Sequence, residues 1–472
     1  MRRCWHGLLA GVLLSGCAVG PDFKKPALDV PKQWSVPSQA DANNALQTWW
    51  QNFNDPVLTQ LIDDALHNNI DLKLALARIQ DVRAQRSATF AAGLPSVSSK
   101  SALSRRYNNT SSAGQASGSS AGGGFGVGNQ LLNIFQLGFD AQWELDFFGG
   151  VRRAIEAADA TVASEVEQQH DILVTLLGEV AILYIDLRSN QQQLKWAEQT
   201  LALQTTIQDL QQVRQQAGLS SAVEATVAEA RLEDLSAEIP QYQEAIQTSI
   251  HALSVLTGRE PTALLTRLSP VREIPRAQVT VIPDLPSALL QRRPDIRRAE
   301  QAIAIANAYV GIATAELYPK VNLAAFIGLQ NLSISGFTPV GKSWSSAASL
   351  SMPVFNWSKL SANIKSKEAQ LQQSRLAYES TVLNAFKEVE DALLSLLQEQ
   401  QSERKLQAAL TQQQLAVKLA TELYQQGLSN YVNVVQQQQQ LLAAEVKLMN
   451  SSAKVSRNLV ALYKALGGGW QE

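Results

Sequence analysis

The sequence predicts an α+β membrane protein, a trimeric channel to which each chain gives four strands of a twelve-stranded β-barrel and two hairpins of very long helices. Three observations lead there. First, the chain repeats itself: Asp71 and Pro95 recur as Asp295 and Pro319, and Gly218-Leu219-Ser220 recurs as Gly427-Leu428-Ser429. Second, short segments alternate apolar and polar residues with period two over lengths that suit a membrane-crossing strand. Third, the segments that follow are too long, and too poor in proline and glycine, to be anything but extended helix. Repeated units of this kind bury their apolar faces against neighbouring units rather than alone.

At the N-terminus, Arg2 and Arg3 precede a short apolar stretch ending at Leu14, followed by Ser15-Gly16-Cys17. This is the pattern of a secretory signal, too short to span a bilayer, and residues 1–16 are read as a removed signal peptide. Leu14-Ser15-Gly16-Cys17 also resembles a bacterial lipobox, which makes Cys17 the lipidation site, with a diacylglyceryl thioether and an acylated amine such as palmitate. Ala18 beside the cysteine, instead of Asp, resembles lipoproteins sent to the outer membrane. Ala18 to Phe23 reads as a flexible tether within an N-terminal segment covering residues 17–55. Removal of the signal takes Cys4 with it, so no disulfide can form within the mature chain.

The first strand, about residues 96–107, is polar and is placed only by the repeat. The second, about 134–146, alternates fully: Phe135, Leu137, Phe139, Ala141, Trp143 and Leu145 on one side, Gln136, Gly138, Asp140, Gln142, Glu144 and Asp146 on the other. Strands at about 320–331 and 343–355 repeat the rule. A half-buried soluble sheet gives the same alternation; the lipobox and the duplication favour lipid. Four strands leave free edges, which a bilayer does not tolerate. A conducting pore needs roughly twelve strands, and three copies are the smallest solution. Asp140, Glu144 and Asp146 are candidate lumen carboxylates that would favour cations, with Lys100, Arg105 and Arg106 near enough to neutralise them. Trp143, Trp344 and Trp357 suit an interfacial aromatic girdle, and Asn108 to Gln130 and Asn331 to Lys342 read as extracellular loops.

Val151 to Ala217 contains no proline and one glycine, and Ser358 to Gln426 contains neither. At ~1.5 Å per residue such helices reach roughly 100 Å. Apolar residues recur every seventh position in Val166, Leu173, Val180, Leu187, Leu194 and Leu201, and in Val382, Val389, Leu396, Leu410 and Val417, with Glu403 interrupting; a strict seven-residue repeat imposes coiling of helices about each other. Return helices follow at 222–256 and 431–466. The Pro-rich passage from Pro261 to Pro286 marks the seam between a first repeat (56–282) and a second (283–472).

These residues resemble the TolC-type outer membrane factors, in particular the lipoprotein branch of OprM-like and NodT-like efflux channels. The resemblance rests on Gly20-Pro21-Asp22-Phe23, Trp49-Trp50 with Phe53, Asp55 and Pro56, Ala65-Leu66 through Asp71-Leu72, and Arg292-Arg293-Pro294-Asp295-Ile296-Arg297, in this order along the whole mature chain. It implies a homotrimer whose outer membrane barrel continues into a long periplasmic coiled-coil barrel with an equatorial domain. The trimer is joined to a periplasmic adaptor (membrane fusion) protein and an inner-membrane pump of the resistance-nodulation-division type, in multidrug resistance or similar efflux. It further implies that the tips Gly218, Leu219, Ser220, Gly427, Leu428 and Ser429 contact the adaptor, and that Tyr424, Leu428, Ser429 and Glu224 form the periplasmic gate. Ser429 and Asn430 stand where some relatives carry a charged latch, so constriction by Leu428 and Tyr424 is the expected closure.

Other classes fit less well. A net charge of −2 excludes a strongly basic nucleic-acid binder. No enzyme is expected: His67, His170 and His251 are scattered and no nucleophile sits in a recognisable motif. The glycines of Gly122 to Gly128 precede a strand instead of opening a helix, unlike a dinucleotide loop. No cofactor is expected beyond the lipid on Cys17, and no metal: only Met352 and Met449 remain after processing, too few for a thioether relay. The competing reading is a lipid-anchored periplasmic coiled-coil adaptor or structural protein.

Overall fold

The computed structural model describes residues 18–27, 30–35, 46–108, 130–218, 221–277, 286–333 and 341–470. Both loops expected between strands, and Cys17, lie largely or wholly outside them. After a 3-10 turn at Trp49–Phe53 the order is α1 (Pro56–Asn68), α2 (Ile70–Ala92), β1 (Ser96–Asn108), β2 (Gln130–Leu145), α3 (Gly150–Gln216), α4 (Ala222–Leu256), α5 (Leu265–Leu268), α6 (Pro286–Arg292), α7 (Pro294–Ala315), β3 (Lys320–Ser333), β4 (Lys342–Ser351), α8 (Trp357–Gln425) and α9 (Tyr431–Ala465). The fold is mostly helical with one small sheet. It divides into two compact units, each drawing on both repeats: Met1–Lys25, Asp81–Val162 and Gln301–Arg375 in one, Pro26–Gln80, Ala163–Glu300 and Leu376–Glu472 in the other.

In the first unit the strands pair antiparallel in the order β1-β2-β3-β4. Register fixes the faces. Phe139 stands opposite Ser99 and Ile327, and Ile327 opposite Trp344; directly opposed residues share a face. One face therefore carries Val97, Leu103, Leu137, Phe139, Trp143, Ile327, Trp344 and Leu350, all of them exposed, Trp344 to 77%. The other carries Ser98, Lys100, Gln136, Asp140, Gln142, Asn322 and Gln330. A gap in that polar face is filled from within. Gly138 opposes Gly328, and the ring of Phe326 lies over both, since a Cβ on Gly138 would come 2.6 Å from Phe326 Cε2 and one on Gly328 2.9 Å from its Cζ. The last strand ends at Ser351, short of the expected 355, because Pro353 has no N–H to offer a ladder.

The tether expected to be flexible is seated instead. Val19 N–H donates to Phe148 O (3.1 Å), Arg153 donates to the Val19 and Gly20 carbonyls (3.2 Å each) and to Asp22 (2.9 Å), and Asn307 Nδ2 donates to Pro21 O (2.8 Å). Burial opposes the charge on Arg153, but Glu156 and Asp22 outweigh it and raise its pKa.

The second unit holds the main core. Trp49, Trp50, Phe53, Leu58, Leu61 and Ile62 pack with Leu177, Val180 and Ile185 of α3, Ile250 and Leu253 of α4, Val389 and Leu396 of α8, and Leu459 and Val460 of α9. The seven-residue seams thus run through buried and half-buried positions. Glu403, which interrupts one of them, accepts a hydrogen bond from the Ser452 hydroxyl. Asp55 starts α1 by accepting from Val57 N (2.8 Å) and Leu58 N (3.1 Å), with Pro56 at the first helical position, and also accepts from Tyr184 Oη (2.9 Å). The Pro-rich seam is pinned. Arg188, wholly buried, donates to the Leu268 and Pro270 carbonyls (3.2 and 2.8 Å), and Ser456 Oγ donates to Pro275 O (2.7 Å).

Candidate functional site

Each long helix ends because glycine lets it. Gly218 and Gly427 both adopt φ +72°, a region open to glycine at no steric cost. At the second tip the Gly427 N–H bonds to Tyr424 O (2.9 Å) and the Leu428 N–H to Leu423 O (2.9 Å), the paired bonds that close a helix C-terminus. Leu219 and Ser220 lie outside the described residues. The return helices begin on capping side chains: Ser221 Oγ accepts from Glu224 N (3.4 Å), and Asn430 Oδ1 accepts from Asn433 N (3.1 Å) while Asn433 Nδ2 donates to Ser429 Oγ (3.0 Å). Ser429 and Asn430 thus act locally to turn the chain. Glu224 sits three residues after its cap in a Ser-x-x-Glu arrangement, exposed, on the first turn of α4.

Leu428 is 72% exposed at the tip, and Tyr424 is 44% exposed. Within one chain the Tyr424 ring stands against Tyr431, 5.3 Å between centroids, and among the described residues no hydrogen bond joins it to Glu224. Tyr431 was not legible in advance because the pair exists only once the turn folds back. Apolar residues line the approaches to the tips, Leu415, Leu419 and Leu423 on α8 and Val223 and Val227 on α4, all exposed.

Further from the tips, the offset that carries Gly218 onto Gly427 also carries Gln204 onto Gln413. Gln204 Nε2 donates to Ala228 O (3.1 Å) and Gln413 Nε2 to Gln437 Oε1 (3.0 Å), so both hairpins are clasped at equivalent positions. Gln439 Nε2 then donates to Gln204 Oε1 (2.9 Å), tying one hairpin to the other.

The strand carboxylates are each balanced, Asp140 by the expected Lys100 and the others by residues not anticipated. Lys100 Nζ stands 4.0 Å from Asp140, and Lys320 Nζ 3.9 Å from Glu144. Asp146 is not on the strand: β2 stops at Leu145, and the Asp146 carboxylate accepts from Arg152 N (2.9 Å) at the start of α3, where a negative charge is favoured. Arg105 pairs in register with Asn133, on the face away from Asp140 and Glu144, so it cannot neutralise them.

The Arg-Arg-Pro-Asp stretch builds a charge cluster in the second unit. Arg293 bonds both oxygens of Asp295 (3.0 and 2.8 Å), Glu388 (2.7 Å) and the Ala465 carbonyl (3.1 Å). Arg297 pairs with Glu167 (2.8 Å) and lies 5.1 Å over the Trp470 ring, on which His170 also stacks at 4.3 Å. Asp171 lies close by, its pKa raised by burial and then by Asp295. This cluster fastens the C-terminal residues, and Arg293 and Asp295 line a cavity of about 450 Å³ with Asp171, Glu388 and Lys464. Among the described residues no group of His, Cys, Asp and Glu is placed to hold a metal ion.

Among the described residues no helix is long and apolar enough to cross a membrane. The apolar side chains that the described residues expose together lie instead on one face of the small sheet, as suits a protein of the outer membrane. The chain belongs to the family of outer membrane efflux proteins, whose model matches residues 61–259 and 285–468. It is 30% identical over 475 residues to the solvent efflux pump outer membrane protein SrpC of Pseudomonas putida, covering 98% of this chain and 97% of SrpC. It is 30% identical over 467 residues to the cation efflux system protein CusC of Escherichia coli O6:H1, covering 97% of each. The structure of the outer-membrane channel OprN superposes with a TM-score of 0.82 at 29% identity, over 97% of this chain and 100% of that one. The chain is therefore a TolC-like outer membrane component of an efflux system. The reading as a soluble coiled-coil adaptor falls, since these matches cover strands and helices alike.

Proposed function

We propose that three copies of this chain form the passive exit duct of a tripartite efflux pump. The observation that carries this is the sheet: one face exposes eight large apolar side chains or more, and among the described residues β1 pairs only with β2 and β4 only with β3. Free strand edges are not tolerated in a bilayer, so the β1 edge of one copy meets the β4 edge of the next and twelve strands close. The two repeats supply equivalent halves of each subunit, and the exposed apolar stripes of the long helices pack against neighbouring copies in a helical barrel.

Lipid on Cys17 anchors each subunit. The tips Gly218, Leu219, Ser220, Gly427, Leu428 and Ser429 meet the periplasmic adaptor, which links the duct to an inner-membrane pump of the resistance-nodulation-division type. Leu428 and Tyr424 constrict the entrance, with Ser429 shaping the turn and Glu224 available to a neighbouring copy. Asp140 and Glu144 line the lumen on the polar face, tempered by Lys100 and Lys320, and give a weak preference for cations. No step in this role is catalytic, and the cargo is set by the pump. SrpC and CusC are named for solvent and cation efflux respectively, on the same channel plan.

The test is made on purified protein in detergent. Unheated samples should run as a trimer that heating converts to monomer, and reconstituted protein should conduct in planar bilayers. A folded, monodisperse single subunit with no conductance would refute the reading.

A further inference from the structure

The segment after Cys17 is held by a groove built for it. Three consecutive carbonyls, of Val19, Gly20 and Pro21, each receive a side-chain donor, from Arg153 or Asn307, and those two side chains are almost fully buried (3% and 4% exposed). Arg153 also takes the Asp22 carboxylate (2.9 Å), so one guanidinium reads both backbone and side chain of Gly20-Pro21-Asp22. Contact is backbone to backbone. Gly20, at φ +91°, lies so close to Gly311 that a Cβ would stand 2.6 Å from Gly311 Cα, and a Cβ on Gly311 would stand 2.8 Å from Arg153 Cδ. At the other end Val19 N–H bonds to Phe148 O, and Ala18 fills the space a side chain on Gly149 would need, 2.6 Å away. Phe148 and Gly149 lie three and four residues beyond the end of β2 at Leu145.

We propose that Arg153, Asn307 and Gly311 are positioning residues for the lipid anchor: they hold residues 18–22 near the foot of strand β2, one residue from Cys17 in the chain. Adjacent Cα atoms are about 3.8 Å apart, so the acylated cysteine has no leash. It enters the bilayer at the level where the sheet ends, and lipid and strands set the same membrane depth. The inference rests on the reading of Cys17 as lipidated.

Position 24, exposed and just beyond the clamp, reports on it. The full chain is produced with its own signal and carries Lys24→Cys as its spin-labelling site, the one free thiol once Cys17 is thioether-linked. In this background the label should be restrained, and Gly20→Ala or Arg153→Met should each release it. In the unlabelled chain the same two substitutions should speed tryptic cleavage after Lys24 about tenfold, since cleavage tracks the population of the open segment. Gly20→Ala alters only the segment and leaves the helices intact, so it separates release from misfolding. Mass spectrometry of the N-terminal peptide reads the lipid independently. An acylated peptide with a label equally mobile in wild type and variants overturns the clamp and leaves the anchor standing; an unacylated Cys17 overturns both.

Discussion

At the residue scale, two tyrosines do different work. Tyr424 is half exposed four residues before Leu428 and packs against Tyr431 on its own hairpin, and among the described residues its hydroxyl makes no hydrogen bond. Replacing Tyr424 and Leu428 together by Ala should raise single-channel conductance severalfold at unchanged trimer content; unchanged conductance places the constriction elsewhere. Tyr184 is fully buried and gives its hydroxyl to Asp55. Burial, against the opposing charge of Arg188, pushes its pKa up to about 12. A folded pKa above the unfolded value of about 10 means its contribution is whole below pH ~10 and is lost as pH climbs through about 12. Tyr184→Phe should melt lower at pH 7 by about 1–3 kcal/mol, because Asp55 loses a buried donor. Its further loss of stability between pH 10 and 12 should be shallower than that of wild type, as read by circular dichroism.

At the element scale, parity decides what a strand residue does. Ile327 stands mid-sheet between Phe139 and Trp344 on the apolar face, and Gln136 stands on the polar one. Ile327→Arg should destabilise the folded channel by about 2–4 kcal/mol, while Gln136→Arg should stay within about 1 kcal/mol and alter ion selectivity. Urea titrations of channels refolded into lipid give both numbers, and equal penalties would mean that neither face meets lipid. Parity also separates residues that proximity in sequence groups together. Arg105 and Lys100 lie close along the chain, yet their odd separation puts them on opposite faces. Asp146 continued a period-two pattern for one residue too many, because alternation says nothing of where a strand hands over to the cap of a helix. The first strand was legible only through the repeat. Its exposed Val97, Leu103 and Tyr107 do alternate, but the serines between and beside them mask the signal.

At the scale of the whole molecule, the prediction concerns the seam between copies. Given the cleavage and the lipid on Cys17 proposed above, Val97→Cys on the β1 edge and Leu350→Cys on the β4 edge supply the reactive thiols of the mature chain. A short bis-thiol crosslinker should join chains into a covalent trimer only when both substitutions are present. Crosslinks confined within single chains would remove the barrel of three subunits.

The duplicated chain, the long helices, the tips and the sheet's apolar face follow from the sequence alone, because periodicity and the placement of glycine and proline are local properties that the chain carries in its order. Tertiary structure decided what depends on partners distant in sequence. It set Tyr431 against Tyr424, linked Gln439 to Gln204 across hairpins, and gave Glu144 its partner Lys320. It also turned an apparent tether into a bound segment. Burial and hydrogen bonding between residues far apart in the chain leave no periodic trace, so only the folded geometry reveals them.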